Sequence, residues 1–411
     1  MAPHVEPESF SLIHAPLLVT ERDHSMLQGF STFGRAAALI LAAAFTVSCG
    51  DSKSPQASAP VFISMPVQDR ILKVDPQSGV ILSQTEVGRL PHHMVVDHNS
   101  RRLYVVLSGS QAVAEIDTDT GALLRTMLTE PVPETRPDGS RIDAHFDQNA
   151  FAQSNCGACH RGGTDGVKPT IVGSRPFGIS LAEDGASLFV TNTRSGSISQ
   201  IELASGQIIQ RLNIAASQSA VEPTALARLG DQLFTSVLAP QPSPDAAVLK
   251  VLDAKTGQAS REVATGPSAN FVLADTQRQQ LYVANFETNT ISVFGLTGEK
   301  RAIYTVGPGP QGMQLTPDGR QLVVANYYGN SMSLVSLDTG EVTTFPLQLA
   351  EQKFANPSHL VITNDGATAL VAASGTKGHL LQINLARRLI ENALPIGPLP
   401  FDITAAPTAT Q

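Results

Sequence analysis

The sequence predicts an all-β fold, a seven-bladed β-propeller of four-stranded blades closed by its two chain ends. Three observations carry this: a repeat of blade length, four short alternating strands inside each repeat, and two end fragments that add up to one missing blade. The repeat is marked by an X-Pro step at Leu90-Pro91, Arg175-Pro176, Glu222-Pro223, Gly266-Pro267, Gly309-Pro310, Asn356-Pro357 and Leu399-Pro400. Successive steps are 85, 47, 44, 43, 47 and 43 residues apart. Periods of about 40–50 residues are those of propeller blades, so the first interval holds one blade and an insertion of about 40 further residues.

Within a unit, strand one follows the proline, as in Met94–Asp97 or Gln314–Thr316. A turn comes next, with Asp-Gly at Asp184-Gly185, Asp318-Gly319 and Asp365-Gly366, a dipeptide suited to tight reversals. Strand two is the apolar run Leu103–Val106, Leu188–Asn192, Leu281–Asn285 or Leu322–Asn326. Strand three alternates, as in Val113–Ile116 and Ile291–Phe294, and a polar turn such as Asp75–Gly79, Asp117–Gly121 or Asp253–Gly257 leads to strand four, for example Leu123–Leu128. Alternation with period two in short runs between turn signals predicts a radial stack of small antiparallel sheets. Before Pro91 there is room for strands near Val61–Met65, Arg70–Val74 and Val80–Glu86, and after Pro400 for one, Phe401–Ala405. Those four strands complete the seventh blade. The absence of Trp, 5% aromatic residues, 32 Gly and 27 Pro fit many strands and turns.

The runs Phe189-Val190-Thr191-Asn192, Tyr282-Val283-Ala284-Asn285 and Val323-Val324-Ala325-Asn326 resemble the signature of the YVTN family of β-propeller repeats, over nearly all of residues 61–406. The first, third and sixth units depart from it, with Leu107, Val237 and Ala373 in place of the Asn. The resemblance implies a seven-bladed fold and little about activity, because one scaffold hosts many functions. The Asn and Asp-Gly positions are read as turn chemistry.

Upstream, Ala36–Val47 is apolar, follows Arg35 and ends in Thr46-Val47-Ser48-Cys49-Gly50. It is too short to span a bilayer and suits an export signal. Ser48 before Cys49 resembles the lipobox of bacterial lipoproteins, which implies lipidation at Cys49. Residues 1–48 are therefore read as a signal segment, with Met26 as the expected start, and residues 49–60 as a tether to the propeller of residues 61–406. This places the protein in the periplasm or cell envelope, touching membrane only through a lipid anchor. A formal charge of −8 and the lack of a Lys/Arg run exclude nucleic acid as the main partner.

Residues 129–174 form the insertion. Pro131, Pro133, Pro137, Asp138-Gly139 and Gly162-Gly163 suggest loop, with one short helix over residues 143–154. It carries Cys156-Gly157-Ala158-Cys159-His160. C-x-x-C-H is the attachment pattern of haem c: two thiols form thioethers with the vinyl groups and the imidazole ligates iron. Cys156 and Cys159 are thus the expected covalent haem ligands and His160 the axial one. A Cys156–Cys159 disulfide is the structural alternative, available in an oxidising compartment. Zinc would need four ligands, which adjacent Cys159 and His160 cannot readily share.

No methionine follows His160 before Met313, so a sixth ligand has to come from elsewhere or be absent. His145, His92, His93, Met94 and His359 are the candidates. His93 and His359 share one repeat position, two residues after the proline, and His93 is favoured because the insertion departs from its blade. The expected function is electron transfer with a redox partner protein. The alternatives are a haem-free binding or scaffolding propeller and a propeller enzyme, peroxidase-like or lactonase-like. No Gly-x-Ser-x-Gly elbow, His-Glu-x-x-His or phosphate-binding loop points to other chemistry.

Overall fold

The computed structural model describes residues 59–130, 175–214, 222–238 and 247–407. The signal segment with Cys49, most of the tether, His145, the helix expected over residues 143–154, and Cys156, Cys159 and His160 lie outside them. Among the described residues the strands form seven four-stranded antiparallel sheets and one short hairpin, Gln348–Leu349 with Gln352–Lys353. The only helix there is a 3-10 turn, Pro66–Gln68, and among the described residues no helix is long and apolar enough to cross a membrane.

Blades one to six each run from an inner strand outward in chain order. Blade one is Pro91–Asp97, Arg102–Leu107, Ala112–Asp117 and Leu123–Leu128. The closing blade is built from both ends: Ile403–Ala405 is innermost and pairs with Val61–Met65, which pairs with Arg70–Val74 and then Ile81–Glu86. Backbone bonds set this closure, since Ser64 N–H donates to Asp402 O and Phe401 N–H donates to Ser64 O (3.0 Å each), and the Ser64 hydroxyl adds to it by accepting from Asp402 N–H (2.9 Å).

The pattern of burial explains why sheets of this size persist. Second strands are almost wholly buried, as in Ser187–Asn192, whereas outer strands bury little more than one residue, as in Leu123–Leu128. A four-stranded sheet with two apolar faces has to be covered on both sides, and the ring provides this. Seven apolar clusters each join two neighbouring blades, including Val61, Ile63, Val361 and Leu370 between blade six and the closing blade, and Phe62, Ile71, Leu103 and Val105 between the closing blade and blade one.

Two expectations need revision. In the fourth unit the strand head is Ala269 and not Pro267. Ser268 has the left-handed φ (53°) that Leu90, Arg175, Gly309, Asn356 and Leu399 show before the other heads, and Ala269 pairs with Asn285 as Pro310 pairs with Asn326. The Gly266-Pro267 step lies two residues before the strand Ala269–Asp275, whose head follows a left-handed residue as the heads of blades one, two, five and six and of the closing blade do.

The second revision concerns the repeated Asn. Asn192, Asn285 and Asn326 end their second strands with side chains buried, and each Nδ2 donates to two hydroxyls on the third strand: Ser197 and Ser199, Thr290 and Ser292, Ser331 and Ser333. They bracket two strands and do not form a turn. The Asp turns are as expected. Asp75, Asp117 and Asp253 accept N–H bonds from the residues two or three further on, and Gly79, Gly121 and Gly257 close them at φ of 73°, 73° and 69°, a region open to glycine at little cost.

Candidate metal centre at the channel mouth

The inner strands of blades one to six shift register within their first few residues, as between Pro91 and Met94 or Pro357 and Leu360, while in the closing blade the equivalent residue, Asp402, stands just before the strand Ile403–Ala405. That irregularity aims the residue two after the strand head at the central channel. Around the ring this position is occupied by His93, Gly178, Ala225, Phe271, Gly312, His359 and Asp402. Three polar side chains therefore fall on consecutive blades, six, closing and one, with Asp402 between the two imidazoles. The glycines allow neighbouring inner strands to approach: a Cβ at Gly312 would lie 2.5 Å from Ser358 O and 2.7 Å from His359 Cα.

The three side chains are buried, at 9% exposure for His93, 4% for His359 and 7% for Asp402. They border a cavity of about 280 Å³ that Phe271, Met313 and Leu226 also line. His93 Nδ1 lies 3.7 Å from Asp402 Oδ2, and the rings of His93 and His359 meet edge-on with centroids 4.9 Å apart. Asp402 is held by the backbone: Met94 N–H donates to Oδ2 (2.8 Å) and Ile403 N–H to Oδ1 (2.9 Å). His359 Nδ1 is 3.1 Å from Phe401 O. A carbonyl only accepts, so the proton sits on Nδ1 and the lone pair on Nε2. His359 Nε2 is buried and has no hydrogen-bond partner among the described residues.

Electrostatics agree with a neutral imidazole beside an ionised carboxylate. Burial pulls His359 down to about 4, against the opposing pull of Asp402. Burial would raise Asp402, but the imidazoles of His359 and His93 and the Met94 N–H outweigh it and hold the carboxyl below its ordinary value.

Of the residues singled out in the sequence, His93 and His359 are brought together here. His92 is instead packed between blades, stacked on Phe401 (4.7 Å) with Nδ1 3.1 Å from Ser108 Oγ. Met94 contributes its backbone N–H. Asp402 was not among the sequence candidates, although it stands two residues after Pro400 as His93 stands after Pro91; that shared repeat position is the signal that points to it. Phe271 was missed because the marker in that unit was two residues early.

The insertion begins and ends on this same face. Thr129 O accepts from Ser199 Oγ, and Glu130 Oε1 accepts from Ser195 Oγ (2.6 Å) and Ser197 Oγ (2.8 Å) while pairing with Arg211 Nη2 (2.7 Å). Chain re-enters at Arg175, before the inner strand Pro176–Leu181.

The YNCE-like beta-propeller family model matches residues 35–345. The chain belongs to this family. No curated protein sequence matches it. Among solved structures this YNCE-like propeller is similar to a putative 6-phosphogluconolactonase from Bacteroides fragilis (TM-score 0.60, 14% identity, 86% of this chain and 99% of that one). It is also similar to hydrazine synthase of Kuenenia stuttgartiensis (0.57, 14%, 77% and 90%) and to the dihydro-heme d1 dehydrogenase NirN (0.55, 12%, 86% and 76%). At such identities the likeness is one of fold.

Proposed function

We propose that this YNCE-like propeller is an exported c-type haem protein that transfers electrons in the periplasm, with a lipid anchor at Cys49. The observation that carries the reading is C-x-x-C-H in a 129–174 insertion of an exported chain. Cys156 and Cys159 would hold haem c through thioethers and His160 would ligate its iron; two thiols and an imidazole at this spacing are the donor set the group needs. Haem supplies one-electron chemistry when bound. The chain's own contribution is to carry that segment on a rigid frame, tied down by Thr129 and Glu130 at its root. A fold shared with a dehydrogenase named for a haem substrate is compatible with this role.

The test is a pyridine haemochrome spectrum and haem-stained gel of full-length protein made with the cytochrome c maturation system. Covalent haem is expected in the wild type and absent from Cys156→Ser/Cys159→Ser. A colourless wild type that gains two hydrogens on reduction, by mass spectrometry, would establish the disulfide alternative and end the electron-transfer reading.

A further inference from the structure

We propose that His93, His359 and Asp402 form a binding site for a divalent transition-metal ion, of zinc or iron(II) type, at the mouth of the central channel. The site is separate from the haem of the preceding reading, and it gives His93 a role other than sixth ligand to that haem.

Geometry is the first support. One ligand atom from each residue lies within 4.8 Å of the other two. The centre of a triangle with sides of 4.8 Å at most is within about 2.8 Å of every corner, while metal–nitrogen and metal–oxygen bonds run roughly 2.0–2.2 Å. Each donor therefore has to move by about 0.7 Å or less, which small side-chain rotations supply without backbone change.

The donors are also prepared as metal ligands usually are. Ligating histidines commonly donate their other N–H to a backbone carbonyl or carboxylate, which fixes the tautomer. Phe401 O does this for His359, leaving an Nε2 lone pair that is buried and unpartnered among the described residues. A buried acceptor without a donor costs stability, and a cation in the cluster would satisfy it. The backbone N–H groups of Met94 and Ile403 hold the Asp402 carboxylate in place as a second anchored donor.

Two imidazoles and one carboxylate make a borderline-soft set that suits zinc and iron(II) better than calcium or magnesium, which prefer all-oxygen shells. Three protein ligands leave coordination positions free, and these face the cavity beside Phe271 and Met313. The ligands come from blades six, closing and one, so a bound ion would also tie the chain's two ends together.

The probe is Zn²⁺, added to metal-stripped full-length protein and followed by calorimetry and zinc-edge X-ray absorption. One ion per chain is expected, with only nitrogen and oxygen neighbours near roughly 2.0–2.2 Å; sulfur at about 2.3 Å would reveal capture by Cys156 and Cys159 and overturn the proposal. Binding should weaken by more than about a hundredfold in His359→Ala and Asp402→Asn, beyond the loss caused by removing an outer-shell partner. Should His359→Ala fail to fold, His359→Gln keeps the bulk and removes the ring. Unchanged affinity in folded variants, or no binding by the wild type, refutes the site. Haem staining of the same samples reads the other proposal independently: stain without zinc binding removes the metal site alone, and zinc binding without stain removes the haem alone.

Discussion

Replacing Asn326 with alanine should destabilise the propeller through a bracket that recurs in only some of its blades. The Asn326 side chain is fully buried and Nδ2 donates to Ser331 Oγ at 3.1 Å and Ser333 Oγ at 2.9 Å. Two net hydrogen bonds at about 0.5–1.5 kcal/mol each, plus about 1 kcal/mol for the Ser331 hydroxyl left buried, give a loss of about 2–4 kcal/mol. Ser333 keeps Thr344 Oγ1 at 2.7 Å and so adds little. With an unfolding entropy of about 2.1 cal/mol/K per residue, or about 0.7 kcal/mol/K for a propeller of this size, the melting temperature should fall by about 3–6 °C.

The decisive comparison is the triple variant Asn326→Leu/Ser331→Ala/Ser333→Ala. Blade one already carries that solution: Leu107 pairs with Ala112, and Val105 with Ala114, in the register that places Asn326 opposite Ser331 and Val324 opposite Ser333. Removing donor and acceptors together avoids the unsatisfied group, so the triple variant should recover at least half of the loss. Scanning calorimetry on the wild type and both variants measures it. A single variant within about 0.5 kcal/mol of wild type, or a triple variant no better than the single, would show that the bracket contributes nothing beyond side-chain volume.

Other outcomes follow from the same geometry. Gly312→Ala places a Cβ 2.5 Å from Ser358 O, a backbone contact that cannot yield cheaply, so a cost of about 1–3 kcal/mol is expected in urea unfolding. Deleting residues 400–411 removes the innermost strand of the closing blade and exposes the apolar edge of Val61–Met65; size-exclusion chromatography should show aggregation in place of a monodisperse species. The turn carboxylates of Asp75, Asp117 and Asp253 are held below their ordinary values, chiefly by hydrogen bonds from the Ser78 hydroxyl, the Thr120 N–H and the Thr256 N–H respectively. A depressed folded-state value gives stability that is complete above the unfolded value of about 3.9 and is lost as pH falls through the folded one. The melting temperature should therefore decline below about pH 4, and Asp117→Asn should flatten that decline; a curve identical to wild type would exclude the turns as its source. Cys49→Ser should move the protein from the membrane pellet to the soluble envelope fraction, whereas unchanged fractionation would remove the lipid anchor.

The blade count, strand order and split closing blade were legible in the sequence because a propeller is a local object repeated. Each strand's alternation and each Asp-to-Gly turn depends on neighbours a few residues away, so Val61–Met65 and Arg70–Val74 could be placed without knowing what they pack on. The C-x-x-C-H pattern behind the proposed haem attachment is equally local, since thioether chemistry would need only Cys156, Cys159 and His160 at their spacing. What only the tertiary structure decided is which strand-head residues share a wall. His93 lies more than three hundred residues before Asp402, which follows His359 by 43, and their meeting depends on ring closure, on the register shifts that turn His93 and His359 inward, and on the burial that strips His359 Nε2 of solvent. Those are collective properties of seven packed sheets, and no window of sequence contains them.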